Sequence, residues 1–272
     1  MLISLRPCLL LLISSLTALI FFTPAWGQID WRSQVKKLPT SELLLLGEQH
    51  DALEHKELAR LTVQSLASEK RLVALLLEMV DYGLNTEGIP KESSESIVRE
   101  RLRWNDTGWS WSNYGPVVMQ AVRVGVPVIG SNLPNTEMRE VMSDVSWDVK
   151  VPGTVLSAHK ENMIKGHCGL LPDSQVPAMA RIQIARDDRM ARTAQLWINK
   201  GKTVLLLAGA EHVRKDRGIP LLLNPTVASN TAVIWMQANT VAYPDSSFAD
   251  INWLTPPVEP KDYCAELAKS LK

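Results

Sequence analysis

A chain of 272 residues with 46% hydrophobic side chains is long enough to bury a sizeable core, as one large domain or a domain carrying an insertion. Its 29 basic side chains balance 29 acidic ones, so neither nucleic acid nor an anionic membrane surface is implied as a partner. No break in composition demands two domains, and the sequence contains no internal repeat or low-complexity segment.

Residues 1–27 read as an export leader: Arg6 gives a positive start, Leu9 to Phe22 an apolar core, and Ala25-Trp26-Gly27 a small-x-small cleavage site before Gln28. The alternative is a retained anchor, although the apolar stretch is broken by Ser14, Ser15 and Thr17 and is short for a span of roughly 20 residues. Cys8 precedes the apolar core, so it does not fit a lipid-modified position. Residues 28–272 then form the folded domain. Only Cys168 and Cys264 remain in it, and in an oxidising compartment they are expected to pair.

The first strand signal is the run Leu43 to Leu46, which ends on Gly47 and is followed by Glu48 and His50. It suits a strand covered on both faces of a parallel sheet, with its chemistry at the carboxyl edge. Asp51 and Glu54 have the spacing of a capping box, so a helix is expected just past His50. Leu58, Leu61 and Leu66 form its apolar stripe, Lys56, Glu57, Arg60 and Gln64 lie off it, and His55 falls in the first turn. Further apolar runs follow. Leu72 to Leu77 ends on Glu78, Val126 to Ile129 ends on Gly130-Ser131-Asn132, and Thr203 to Ala208 ends on Gly209-Ala210-Glu211-His212. A fifth run, Thr231 to Met236, brings no obvious site residue. Helical stretches alternate with these runs, which predicts an α/β fold with a mainly parallel central sheet flanked by helices.

The longest predicted helix runs from about Val176 to Lys200, with Gly201 after its end and Met179, Ile182, Met190, Ala194 and Trp197 on its stripe. Arg186 falls on that stripe, so its charge needs an internal carboxylate or an anionic ligand. Residues 145–177 hold several helices, and with their flanks an insertion of about 135–200 is long enough to cap the sheet edge. Pro256, Pro257 and Pro260 mark an irregular tail before a short helix near Cys264.

Two constellations could carry chemistry. Glu48, His50, Glu78 and His212 converge from three strand ends, a set suited to a divalent transition metal or to general acid/base work. Trp104, Trp109, Trp111 and Tyr114 are clustered in a chain with only 6% aromatics. They could wall a flat apolar ligand, with a tyrosine oxygen available to ferric haem, or form a satellite hydrophobic cluster. His159 and His167 lie eight residues apart in the cap, so on a continuous helix both would face roughly the same way.

The sequence resembles the ChaN family of haem-binding, iron-regulated exported proteins, within the wider Tiki/erythromycin-esterase-like superfamily. The matching pieces are Leu45 to Asp51 with His55, Leu76 to Met79, Trp104, Gly108-Trp109 and Tyr114-Gly115-Pro116. Further matches are Gly125 to Val128, Asn132-Leu133-Pro134, His167 to Gly169 through Pro172, Arg186-Asp187, Gly209 to Val213 and Gly218-Ile219-Pro220. They run in order through most of residues 28–272.

The resemblance implies a haem-binding α/β domain with a helical cap, haem held between two chains of a homodimer, and iron bound by a tyrosine. Tyr114 is the position onto which that role carries, with Trp109, Trp111, His167 and Arg186 as further candidate haem contacts. The implied role is haem or iron acquisition in the periplasm or cell envelope, with an outer-membrane haem receptor or transporter as partner and no lipid anchor evident. Related metal-dependent hydrolases place acidic and histidine residues at equivalent strand ends, so a hydrolase using Glu48, His50, Glu78 and His212 is the alternative.

Overall fold

The computed structural model describes residues 41–241 and 247–270, together with Trp31, Ser33 and Val35. The expected leader lies outside the described residues. Six strands, β1 (Leu43–Glu48), β2 (Leu72–Asp81), β3 (Val128–Asn132), β4 (Thr203–Gly209), β5 (Thr231–Ala238) and β6 (Ile251–Thr255), are all parallel in the order β3-β2-β4-β1-β5-β6. Eight helices accompany them among the described residues: α1 (Leu53–Ser68), α2 (Glu95–Arg101), α3 (Trp111–Arg123), α4 (Met138–Ser143), α5 (Gly153–Gly166), α6 (Val176–Trp197), α7 (Pro225–Ser229) and α8 (Tyr263–Ser270).

The unbroken leucine run of β1 has a simple cause: both of its faces are covered. Leu44 and Leu46 share a core with Leu58, Val63 and Leu66 of α1 and with Val117 and Val118 of α3. Leu43 and Leu45 point the other way, into a core with Met190, Ala191 and Ala194 of α6. The period-2 alternation of a strand therefore reads as continuous apolarity when helices cover the two sides. Truncating any one of these leucines to alanine would cost about 2–5 kcal/mol.

Topology positions the site. From β1 the chain passes through α1 to β2, on the far side of β4, whereas from β4 it goes to β5, on the far side of β1. The segments leaving these two neighbours diverge and open a crevice at their carboxyl ends, where Glu48 pairs in register with Gly209. Between β3 and β4, helices α4 and α5 pack on α6 through small satellite cores, one of Leu133, Val141, Ile182 and Ala185, the other of Val151, Val155 and Ile184.

Three local expectations are corrected. The first helix begins at Leu53 with Ala52 at its N-cap and no side-chain cap, because Asp51 accepts instead from the Tyr263 hydroxyl at 2.6 Å. The longest helix stops at Trp197, where Ile198 turns extended, rather than at Lys200. A sixth strand, β6, extends the sheet beyond β5 where no strand was expected. Cys168 and Cys264 are paired and join the end of α5 to α8 across 96 residues of sequence.

Candidate functional site at the carboxyl edge of the sheet

The buried carboxylate of Glu48, 1% exposed at the end of β1, organises the crevice. One oxygen, Oε1, lies 2.8 Å from His50 Nδ1 and also accepts the Tyr114 hydroxyl. The other, Oε2, faces the Lys56 ammonium at 3.1 Å. Lys56 also donates to the carbonyls of Gln49 at 3.0 Å and His50 at 2.7 Å, which fixes the turn carrying His50. Sequence periodicity put Lys56 on the solvent side, yet it is 3% exposed. Burial lowers its pKa, and Glu48 opposes that shift.

His55 stabilises the same turn from beneath. The Gln49 amide donates to Nδ1 at 2.9 Å, so the ring proton sits on Nε2 and goes to Thr255 Oγ1 at 2.9 Å. Thr255 belongs to β6, so the unexpected strand provides this anchor. Burial, with Lys56 nearby, drives the His55 pKa down to about 3, which keeps the ring neutral.

His50 is the accessible member of the group, with 42% of its side chain exposed. A carboxylate only accepts, so Nδ1–H donates to Glu48 and the Nε2 lone pair is left for an electrophile or metal. Nε2 lies over Gly209, where an added Cβ would stand 2.9 Å from it. Only glycine lets the imidazole rest there. Trp109 packs edge-on against the ring, with centroids 4.8 Å apart.

Glu78, inside β2 three residues before its end, and His212, after β4, form a second cluster against the same crevice. His212 places Nδ1 2.5 Å from Asp187 Oδ1 and Nε2 3.4 Å from Glu78 Oε1. Glu78 Oε2 accepts from the Gly209 amide at 2.7 Å. Burial disfavours the imidazolium, but Glu78 and Asp187 outweigh it and carry the His212 pKa up to about 10. With both nitrogens engaged, His212 has no lone pair to give a metal. The alternative metal set Glu48, His50, Glu78 and His212 therefore shares one edge without forming one coordination sphere. Among the described residues no group of three or more His, Cys, Asp or Glu side chains is placed to hold a metal ion. The hydrolase alternative is accordingly not favoured.

The aromatic segment divides between core and rim. Trp111 is 7% exposed and gives its Nε1–H to Glu95 at 2.8 Å, while Trp104 donates to the Trp109 carbonyl at 2.7 Å. Tyr114 is 2% exposed. Burial first, then the Glu48 and Glu78 carboxylates, push its phenol far above the ordinary range. The phenol therefore keeps its proton here and donates it to Glu48. Trp109 packs on the His50 ring, and the Tyr114 hydroxyl lies 3.4 Å from His50 Nδ1.

His167 follows the end of α5 and places Nδ1 2.8 Å from the Met163 carbonyl of its own helix, and it lines neither the crevice nor the cavity beside it. His159 is buried with Nε2 3.1 Å from the Arg217 carbonyl, a structural contact. Arg186 lines a cavity next to the crevice, and its Nε is buried without a hydrogen-bond partner. Sequence reasoning missed Lys56 as a site residue and did not give Asp187 its role.

A parallel α/β sheet with a histidine and a buried carboxylate at its switch point defines a protein built to present an oriented imidazole in a crevice. Residues 34–223 match the family described as haem-binding uptake, Tiki superfamily, ChaN, and the chain belongs to that family. Among solved structures, the ChaN protein of Campylobacter jejuni, described with cofacial haem binding, is similar in fold: it is 22% identical, with a TM-score of 0.65 over 82% of this chain and 89% of that one. The type III effector HopBA1 is 14% identical with a TM-score of 0.42, covering 80% of this chain and 88% of its own, too distant to carry an argument. No curated protein matches the sequence.

Proposed function

We propose that the chain binds haem as cargo in the switch-point crevice, with His50 Nε2 meeting the iron. The observation that carries this reading is the half-exposed His50 ring, whose Nδ1 is held by a buried carboxylate while Nε2 is left open. Such a carboxylate fixes the tautomer and makes the free nitrogen a better donor. The donor set fits haem, which supplies iron with an open axial position and a flat apolar ring. The edge of Trp109 supports that ring, and the crevice of about 450 Å³ adds Trp235 and Met236. Tyr114 acts through Glu48 as a positioning residue rather than as the ligand.

Membership in a haem-uptake family and the export-type leader together support haem or iron acquisition in the periplasm or cell envelope. An outer-membrane haem receptor or transporter is the partner this role calls for. The cofacial haem of the Campylobacter jejuni protein supports a homodimer with haem between two chains here. Ligand that binds only the assembled form strengthens the assembly by mass action.

The test is a haemin titration of the purified protein and of His50→Ala, followed by visible absorption and by sedimentation. The reading expects saturable binding, a haem-dependent dimer and a marked loss of affinity in the variant. Non-saturable uptake of haemin, equal in both proteins, would overturn it.

A further inference from the structure

Beside the crevice lies a second, more polar cavity of about 350 Å³, lined by Arg186, Arg103, Asp81, Asn132, Trp109 and Glu78. It adjoins the His50 position through two side chains: Trp109 packs on the His50 ring, and Glu78 Oε2 lies with His50 Nε2 around Gly209. Two arginines are among its lining residues. Neither Arg186 nor Arg103 makes a side-chain ion pair within 4.0 Å among the described residues. The Arg186 Nε is buried and unsatisfied. Buried donors are nearly always partnered, and a guanidinium fork matches a carboxylate with two parallel bonds.

Arg103 follows the Leu102 C-cap of α2 with φ +47, the left-handed position of a helix cap in which the Trp104 amide donates to the Arg99 carbonyl. Asp81, which lines the cavity, is a carboxyl that could serve as counterion. Burial raises its pKa and the Arg186 charge opposes that shift, so Asp81 feels Arg186 without an ion pair within 4.0 Å.

Resting on the haem reading above, we propose that this cavity is a carboxylate subsite. Arg186 takes one side-chain carboxylate of the porphyrin in the depth of the cavity and Arg103 takes the other at its rim. The flat ring then spans from His50 past Trp109. Asp81 competes for Arg186 when no ligand is present.

Metal-free protoporphyrin, a dicarboxylate, and its dimethyl ester separate this subsite from iron ligation. Each is titrated by fluorescence into wild-type protein, Arg186→Gln, Asp81→Asn and His50→Ala. The wild type should prefer the diacid. Arg186→Gln should weaken the diacid by roughly tenfold to a hundredfold, the loss expected for a charge-assisted pair, and leave the diester unchanged. Asp81→Asn should tighten the diacid only, which a merely structural role would not do, and His50→Ala should change diacid and diester affinity alike. Equal binding of diacid and diester by the wild type would overturn the subsite even if Arg186→Gln failed to fold. Should haemin still bind through His50 in that case, the haem reading survives and only the subsite is lost. Failure of every porphyrin and of haemin to bind removes both.

Discussion

Tyr114 donates its hydroxyl to the same Glu48 oxygen that holds His50 Nδ1, so a residue on α3 and a residue after β1 are oriented by one buried carboxylate. Tyr114→Phe keeps the ring and its packing but leaves Glu48 one donor short. The expected cost is about 1–3 kcal/mol of stability from the under-satisfied buried acceptor. Haem affinity should fall while the iron's spectral type persists. Disappearance of that spectral type in Tyr114→Phe, read by visible absorption at saturating haemin, would show that the phenol is the ligand.

Lys56 and Glu48 form a buried ion pair at the base of the site, at 4% and 0% side-chain exposure. Lys56→Met should destabilise the protein by about 3–5 kcal/mol, because it strands a carboxylate without its cation. Adding Glu48→Gln to that variant should restore a large part of the loss. Urea melts of the two single variants and the double variant measure the coupling. Simple additivity would mean that the pair is not a unit.

Two buried histidines give stability opposite pH limbs. His55 is depressed from 6.5 to about 3, so its contribution is fully present above pH 6.5 and is lost as pH falls towards 3, where the neutral ring must protonate. His212 is raised from 6.5 to about 10. Its contribution is fully present below pH 6.5 and is lost as pH rises towards 10, as the imidazolium between two carboxylates loses its proton. Each limb should amount to a few kcal/mol, on the order of the shifts involved. The maximum from these two groups falls near pH 6.5. Denaturant midpoints across pH would check this, and His212→Gln should flatten the alkaline limb. A wild-type curve with no decline from neutrality to pH 9 would contradict the imidazolium assignment.

How much of this was legible in the sequence depends on what each residue's neighbours supply. The strands β1 to β5 were readable because strands covered on both faces need unbroken apolar runs, and the carboxyl-edge position of Glu48, His50, Glu78 and His212 followed from where those runs end. The pairing of Cys168 with Cys264 was readable because they are the two cysteines left after the expected leader. β6 was not. Ile251–Thr255 is an edge strand with mostly half-buried residues, so it carries no such run. Lys56 was hidden because a lysine off the apolar stripe reads as solvated, and only Glu48 and two loop carbonyls explain its burial. Asp187 sits in an Arg-Asp-Asp-Arg stretch that resembles a helix surface, although α6 turns it inward to His212. The tyrosine role came from family resemblance, whereas the direction of the Tyr114 phenol is set by how α3 packs over α1.

The disulfide links α5 to α8, and α8 begins at Tyr263, whose hydroxyl reaches Asp51 beside His50. Reduction should cost about 4–5 kcal/mol in the chain-entropy model before any strain is subtracted. Both thiols should resist labelling in the native oxidised protein and react after reduction and unfolding. Rapid labelling of native protein without reductant would contradict the bond.

The central claim is that His50 supplies the iron's axial nitrogen. Resonance Raman spectra of the haemin-loaded protein and of His50→Ala, each recorded in ferric and reduced form, test it directly. The reduced wild type should show an iron–histidine stretch that is absent from His50→Ala, with no tyrosinate bands in either ferric protein. Tyrosinate bands in the wild type that survive in His50→Ala but vanish in Tyr114→Phe would contradict it.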